Sequence, residues 1–279
     1  MKRIQFFEFC DMVTLPALLR SATPVFLEAV FRSLRTYRVA VKPLAEVLRA
    51  TRSTEILDLG SGGAGPLPQV LSGLAAQENL HVVATLSDKF PNTAAFSEAV
   101  RKDPQRLSFL PHSVSATAVP KNQAGVRTLF QLLHHFPPET AQAILQDAVS
   151  NRRGIAIFEV TQRHVLGLVL SLFLPLLVLL VTPFVRPVRF SRLFFTYLVP
   201  VLPCVVLWDS LISHLRSYTE AELLAMTRNL SGPAYVWKVQ TLGRRPFQVL
   251  SLLGYPQPPT PGHKLGQTGE QPREVAKLG

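Results

Sequence analysis

The sequence predicts an α/β fold built on a parallel sheet, and three observations predict it. A buried strand, Glu55-Ile56-Leu57-Asp58-Leu59, runs into the glycine turn Gly60-Ser61-Gly62-Gly63-Ala64-Gly65, and a helical pattern follows from Leu67 to Ala76. Short apolar runs and helical patterns then alternate as far as residue 160, the order that gives a parallel sheet with helices on both faces. Asp58, Asp88, Ser113, His134 and Glu159 fall at or just beyond the strand ends, where such folds place ligands.

Taken in order, residues 4–50 read as mostly helical, with apolar stripes at Leu15, Leu18 and Leu19, at Phe26, Leu27, Val30 and Phe31, and at Leu44, Val47 and Leu48. Pro16, Pro24 and Pro43 stand where helices begin. Arg20, Arg32, Arg35 and Arg38 punctuate them, either as a solvated face or as part of a helical lid lying on a membrane. The first strand, Ile56–Leu59, ends in the glycine turn, whose residues permit positive φ angles and close approach of a ligand. The second strand is His81–Leu86, ending at Ser87-Asp88, and the third is Leu107–Leu110. The fourth is Val126–Leu133, ending in His134-His135-Phe136, and a helix runs from Pro137 to about Ser150. The fifth strand is Gly154–Val160.

The alternation then breaks. Val165–Val181 and Leu193–Trp208 are apolar runs joined by the turn Arg186-Pro187-Val188-Arg189-Phe190-Ser191-Arg192. Each is short of the roughly 20 residues that span a bilayer, and Pro200 and Pro203 break the second. Three arginines in the turn oppose a two-pass hairpin from the cytoplasm. The reading is a re-entrant or interfacial hairpin, with Arg186, Arg189 and Arg192 near lipid headgroups. True spanning and a buried soluble helix pair remain alternatives. Beyond it, Thr219 and Glu222 form a capping box at the start of a helix. Tyr235–Leu242 and Phe247–Leu253 flank Gly243-Arg244-Arg245-Pro246 as an antiparallel hairpin. The Pro-, Gly- and Gln-rich tail from 256 has the composition of a disordered segment.

The chain has 279 residues, 47% hydrophobic and 17% charged, with a formal net charge of +11. The basic excess is scattered, without a long basic run, which favours an anionic membrane surface over nucleic acid. Cys10 and Cys204 lack metal or disulfide spacing, so no metal is expected. Glu8 and Asp11 interrupt the N-terminus before any signal-like apolar run, which places the N-terminal half in the cytoplasm. The expected units are a helical cap (1–50), an α/β domain (51–164 with 209–255), a hydrophobic hairpin insertion (165–208) and the tail (256–279).

These residues resemble a known family. Asp58-Leu59-Gly60-Ser61-Gly62-Gly63 is similar to the first motif of class I S-adenosylmethionine-dependent methyltransferases. Asp88 matches the acid at the end of their second strand, and His134-His135-Phe136 a sequence common after their fourth. The final hairpin matches their reversed seventh strand. The likeness covers about residues 40 to 254. It is nearest to bacterial members of undefined substrate, which share phrases such as Asp88-Lys89-Phe90-Pro91-Asn92 and Phe158-Glu159-Val160-Thr161. The resemblance implies a Rossmann-like, seven-stranded methyltransferase sheet with a helical N-terminal cap and a membrane-associated hairpin insertion.

It also implies the cofactor, S-adenosyl-L-methionine. Gly60, Ser61, Gly62 and Gly63 would line its methionine and ribose, with Asp58 near the amino-acid moiety and Asp88 accepting the ribose hydroxyls. Ser113 and Ser115 stand where many members hold adenine, Ser115 replacing the usual acid. His134 and His135 are the candidate general bases, and Glu159 is the next. The implied activity is methylation of a small lipophilic acceptor at the membrane, with lipids met through 165–208. Two rivals stand beside it: a non-catalytic membrane scaffold retaining the cofactor fold, and a nucleic-acid methyltransferase. No Asn-Pro-Pro-Tyr-type motif follows the fourth strand, which counts against the last. A P-loop is absent as well.

Overall fold

The computed structural model describes residues 1–12, 14–185, 188–245 and 248–257. Residues 3–11 form a strap, ending in a 3-10 turn at Phe9–Asp11. Helices α1 (Ala17–Arg20), α2 (Ala22–Ser33) and α3 (Val41–Thr51) follow. Helix therefore begins later than the periodicity predicts. Strand β1 (Glu55–Leu59) leads through the glycine turn to α4 (Leu67–Glu78), then β2 (Val83–Ser87), α5 (Thr93–Lys102) and β3 (Leu107–Phe109). Strand β4 (Val126–Phe130), α6 (Pro138–Ser150) and β5 (Ile155–Glu159) complete the parallel part.

The insertion is more broken than two helices. It comprises α7 (Val165–Ser171), α8 (Leu174–Val181), α9 (Phe190–Leu193), a π-helical turn (Phe194–Leu198) and α10 (Val201–Arg216). The pair Val165–Ser171 and Leu174–Phe184 bends by 45°, and the pair Phe190–Leu198 and Val201–Arg216 by 82°. No single helix among the described residues is long and apolar enough to cross a membrane. α10 runs unbroken past residue 208 to Arg216, so the expected boundary at 209 falls inside a helix. Arg186 lies outside the described residues, as does the tail from 258.

Helix α11 (Glu220–Arg228) opens with the expected capping box, Thr219 and Glu222 each bonding the other's backbone. Strands β6 (Tyr235–Leu242) and β7 (Val249–Pro256) close the sheet as an antiparallel pair. Its order is β3-β2-β1-β4-β5-β7-β6, with β7 antiparallel to both its neighbours and the other pairings parallel. This is the expected seven-stranded sheet. The reversal between β1 and β4 opens a crevice at the C-terminal strand ends, the position where an open α/β sheet binds ligands.

Both faces of the sheet are covered, and β4 and β5 are buried at every position, Arg127 and Thr128 included. Ile56, Phe130, Ala156 and Phe158 pack with Leu44, Leu48, Leu67 and Leu71 of α3 and α4. Leu57, Leu129, Ile155 and Ile157 face Ile144 and Leu145 of α6 and Leu223 of α11. Adjacent residues point to opposite faces, as the strand period demands. A small third core, Phe26, Val178 and Val206, joins α2 to α8 and α10, so the cap and the insertion pack on each other beside the strand ends.

Candidate active site

The glycine turn is tied down from within. Ser61 Oγ donates to the Asp58 carbonyl (3.0 Å) and accepts from the Ser87 N–H (3.1 Å), while the Ser61 N–H donates to the Ser87 carbonyl (2.9 Å). The Ser61 side chain thus turns inward and staples β1 to β2. Gly60, Gly62 and Gly65 take positive φ. At Gly60 (φ +69°) a Cβ would stand 2.3 Å from Leu132, whereas at Gly62 nothing lies within 4 Å. That open side is the room a ligand needs beside the turn.

Asp58 is buried beneath the turn, and its Oδ1 accepts from Thr128 Oγ1 at 2.5 Å. Burial pushes its carboxyl up to about 7, against the hydrogen bonds of Thr128 and Ser61 and aided by the charge of Asp88. Asp88 stands at the rim. Its Oδ2 accepts from the Gly62 N–H (3.0 Å) and its Oδ1 from the Phe90 N–H (2.9 Å). A carboxylate has about four acceptor directions, so each oxygen keeps one for a ribose hydroxyl. The helix after it is capped by Asn92, which accepts from the Ala95 N–H. Ser113 donates to the Lys89 carbonyl at 2.7 Å, holding the loop next to Asp88. Ser115 pairs with Thr117 at 2.9 Å.

Strand β4 ends earlier than predicted. Gln131 takes φ +53° and the chain turns into a 3-10 helix, Leu133–His135. The histidines are therefore off strand geometry, and their rings lie 4.2 Å apart. The parallel register Phe130↔Phe158 brings Glu159 beside this turn. Its Oε1 accepts from the N–H groups of Leu132 (3.0 Å) and Leu133 (2.6 Å), and its Oε2 lies 2.6 Å from His134 Nδ1. Paired with an ionised carboxylate, which only accepts, a neutral His134 carries its proton on Nδ1 and its lone pair on Nε2.

No protein-family model matches the chain, and no curated protein matches its sequence. Among solved structures it is similar to the plantazolicin methyltransferase BpumL in complex with SAH, with a TM-score of 0.52 and 13% identity over 85% of this chain and 90% of that one. The mitomycin 7-O-methyltransferase MmcR gives a TM-score of 0.45 and 15% identity over 78% of this chain, which spans 54% of MmcR. Magnesium protoporphyrin IX methyltransferase (ChlM) from Synechocystis PCC 6803 gives 0.42 and 12% over 89% and 91% of the two chains. The fold is that of the methyltransferases.

In this methyltransferase fold the predicted residues divide into two groups. Asp58, Gly60, Ser61, Gly62, Gly63, Asp88 and Ser113 gather around the β1 and β2 ends, and His134 and Glu159 form a dyad at the β4 and β5 ends. His135 lies beside that dyad but pairs with the strap instead. Its Nδ1 lies 2.8 Å from Asp11 Oδ1. Against the cost of burial, Asp11 and Glu8 raise its pKa.

Sequence reading missed the strap. Arg216 contacts Asp11 Oδ2 (2.6 Å) and Glu8 Oε1 (3.2 Å), and donates to the His135 carbonyl (2.6 Å). Arg3 donates to the carbonyls of Arg216, His134 and Phe136. The Phe9 N–H donates to Asp209 Oδ1 at 2.7 Å. Asp209, Ser213 and Arg216 lie on one face of α10, and Ser213 Oγ donates to Glu8 Oε1 at 3.0 Å. The strap therefore clamps the 133–135 turn to the insertion. One donor atom each from Glu8, His134 and His135 lies within 4.8 Å of the others, a spacing able to admit a cation, but Arg216 already meets the carboxylate charge there.

Proposed function

We propose that this chain is a methyltransferase that uses S-adenosyl-L-methionine and acts on a small lipophilic acceptor taken from a membrane surface. The observation that carries the reading is the open glycine turn facing Asp88 across a β3-β2-β1-β4-β5-β7-β6 sheet, with the fold likeness to BpumL beside it. Gly60, Gly62 and Gly63 would hold the methionine and ribose, Asp88 the ribose hydroxyls, and Ser113 and Ser115 the adenine side. S-adenosylmethionine supplies a methyl group already activated by its sulfonium.

The protein's tasks are then to position the acceptor and to remove a proton where the acceptor carries one. In the transfer the acceptor's lone pair would form the new bond to the methyl carbon as the methyl–sulfur bond breaks, the sulfur keeping that electron pair in the S-adenosylhomocysteine product, and the acceptor's proton would pass to His134 Nε2. Glu159 holds the His134 ring in the tautomer that can accept it and stabilises the resulting imidazolium. Glu159 is a positioning residue, fixing the 3-10 turn through two backbone N–H groups as well. The strap lies across this acceptor side.

The membrane part of the reading rests on the insertion's surface. Phe173, Leu176, Leu180, Phe184, Phe190 and Leu198 are all exposed, Phe184 and Phe190 at 79% and 82%. Single exposed apolar residues are ordinary, but six large ones within one insertion favour an interaction surface. Arg189 and Arg192 border it, and the net charge of +11 favours an anionic bilayer. The sheet would sit on the cytoplasmic side. Flotation of the full chain with vesicles of phosphatidylglycerol and phosphatidylcholine tests this part. Burying two phenylalanines contributes roughly 3 kcal/mol or more, so a Phe184→Ser, Phe190→Ser double variant should bind about a hundredfold more weakly. Unchanged flotation would refute the docking. Transfer of a labelled methyl group into an organic extract of membranes tests the reaction, and the absence of any labelled lipophilic product would count against this acceptor class.

A further inference from the structure

Two features of the N-terminal helices have no part in the site described so far. The first is Glu28 on α2. A Cβ at Gly63 would stand 2.8 Å from Glu28 Oε2, so Gly63 is the residue that lets this carboxylate approach the glycine turn. Its one ion pair among the described residues is with Arg32 at 3.6 Å, longer than a hydrogen bond. Burial raises its pKa, against the charges of Arg32 and Lys102. A half-buried carboxylate beside the turn lacks a close cation.

The second feature is Tyr37. Its ring packs edge-on against Phe31 and Phe130, with centroids 5.9 and 5.2 Å away, and the residue is 3% exposed. Its hydroxyl has no hydrogen-bond partner among the described residues, and neither has that of the adjoining buried Thr36. Leaving a buried polar group unpaired is costly, so two in succession point to a polar group from outside the chain. Phe130 is the last residue of β4 and stacks on Phe158 of β5 at 5.2 Å, which sets the Tyr37 ring at the ends of those strands; burial pushes the phenol up. Phe31 lies three residues after Glu28, on the same face of α2. Glu28 and Tyr37 thus flank the same end of the crevice, away from the adenine side at Ser113 and Ser115.

We propose that the N-terminal helices clamp the amino-acid end of the cofactor, the Glu28 carboxylate taking its α-ammonium and the Tyr37 hydroxyl donating to its α-carboxylate. This rests on the reading of S-adenosylmethionine as the cofactor. One acceptor and one donor, both withdrawn from water, match the ammonium and the carboxylate of a zwitterion.

The test compares two ligands by calorimetry on the full chain. S-adenosylhomocysteine carries the amino-acid group, and 5′-methylthioadenosine lacks it. Glu28→Gln should weaken S-adenosylhomocysteine by roughly ten- to a hundredfold, the loss of one charge-assisted hydrogen bond, and leave 5′-methylthioadenosine within about twofold. Tyr37→Phe removes one oxygen and keeps the ring. It should weaken S-adenosylhomocysteine about tenfold without lowering the thermal midpoint of the ligand-free protein. If the wild type binds S-adenosylhomocysteine and both variants bind it equally well, the clamp is wrong and the cofactor reading stands. If Glu28→Gln weakens both ligands alike, the effect is structural and the clamp is again overturned. If folded wild type binds neither ligand, the cofactor reading falls and the clamp with it.

Discussion

Replacing Glu159 by glutamine should change the His134 turn in a way that needs no knowledge of the acceptor. The carboxylate accepts three hydrogen bonds, from Leu132, Leu133 and His134, at 3.0, 2.6 and 2.6 Å. Glutamine keeps one carbonyl oxygen for the two amides but sets an NH2 group against His134. Two donors cannot face each other, so the imidazole moves its proton to Nε2 and accepts at Nδ1. Hydrogen bonds to a charged group contribute about 1.5–3 kcal/mol and neutral ones about 0.5–1.5, so three bonds losing charge assistance cost about 3 kcal/mol. For a chain of this size that is a fall of roughly 6–12 °C in Tm. Nitrogen NMR of imidazole-labelled protein reads the tautomer, and a thermal melt reads the stability. Activity toward an acceptor that must lose a proton should fall about 10²- to 10⁴-fold. A His134 proton still on Nδ1 in the variant, or a Tm within about 2 °C of wild type, would refute the dyad.

Two further outcomes follow from the turn and the core. Gly60→Ala should cost more stability in urea than Gly62→Ala. Both carry the strain of a left-handed residue, about 1–2 kcal/mol, but only the Gly60 variant drives a Cβ into Leu132; equal losses would contradict the packing described. Asp58, held at about 7 by burial, binds a proton in the folded chain that the unfolded chain has released above about pH 4. Its neutral form stabilises the fold fully below about pH 4, and that contribution is lost as pH rises through about 7, at about 1.4 kcal/mol for each tenfold difference in proton affinity. Asp58→Asn should therefore show a flatter stability profile than wild type between pH 4 and 7, and parallel profiles would contradict the assignment.

The sheet was legible because its signals are local. Apolar runs, a glycine turn after the first strand and a capping box at Thr219 each occupy a few neighbouring residues. The glycine turn could be placed for the same reason. The early end of β4 was not legible, since Phe130-Gln131-Leu132 carries no glycine or proline and Gln131 takes its positive φ under the pull of Glu159 on the next two N–H groups. The His134–Glu159 pairing depends on the β4–β5 register and not on any spacing in the chain. The strap was invisible for a stronger reason: Glu8, Phe9 and Asp11 have no pattern of their own, and their partners Ser213, Asp209 and Arg216 are about 200 residues away. Composition identified the insertion as apolar but could not give the bends between its short helices.

The central claim, that the turn and Asp88 bind S-adenosylmethionine, is tested most directly by calorimetric titration with S-adenosylhomocysteine of wild type and of Asp88→Asn. The asparagine keeps an acceptor for the turn but loses the charge and the second acceptor. The account predicts one-to-one binding by wild type, weakened at least tenfold in the variant, the loss of one charge-assisted hydrogen bond, with its circular dichroism unchanged. No heat of binding from a folded wild-type sample, or equal affinity in the variant, would contradict it.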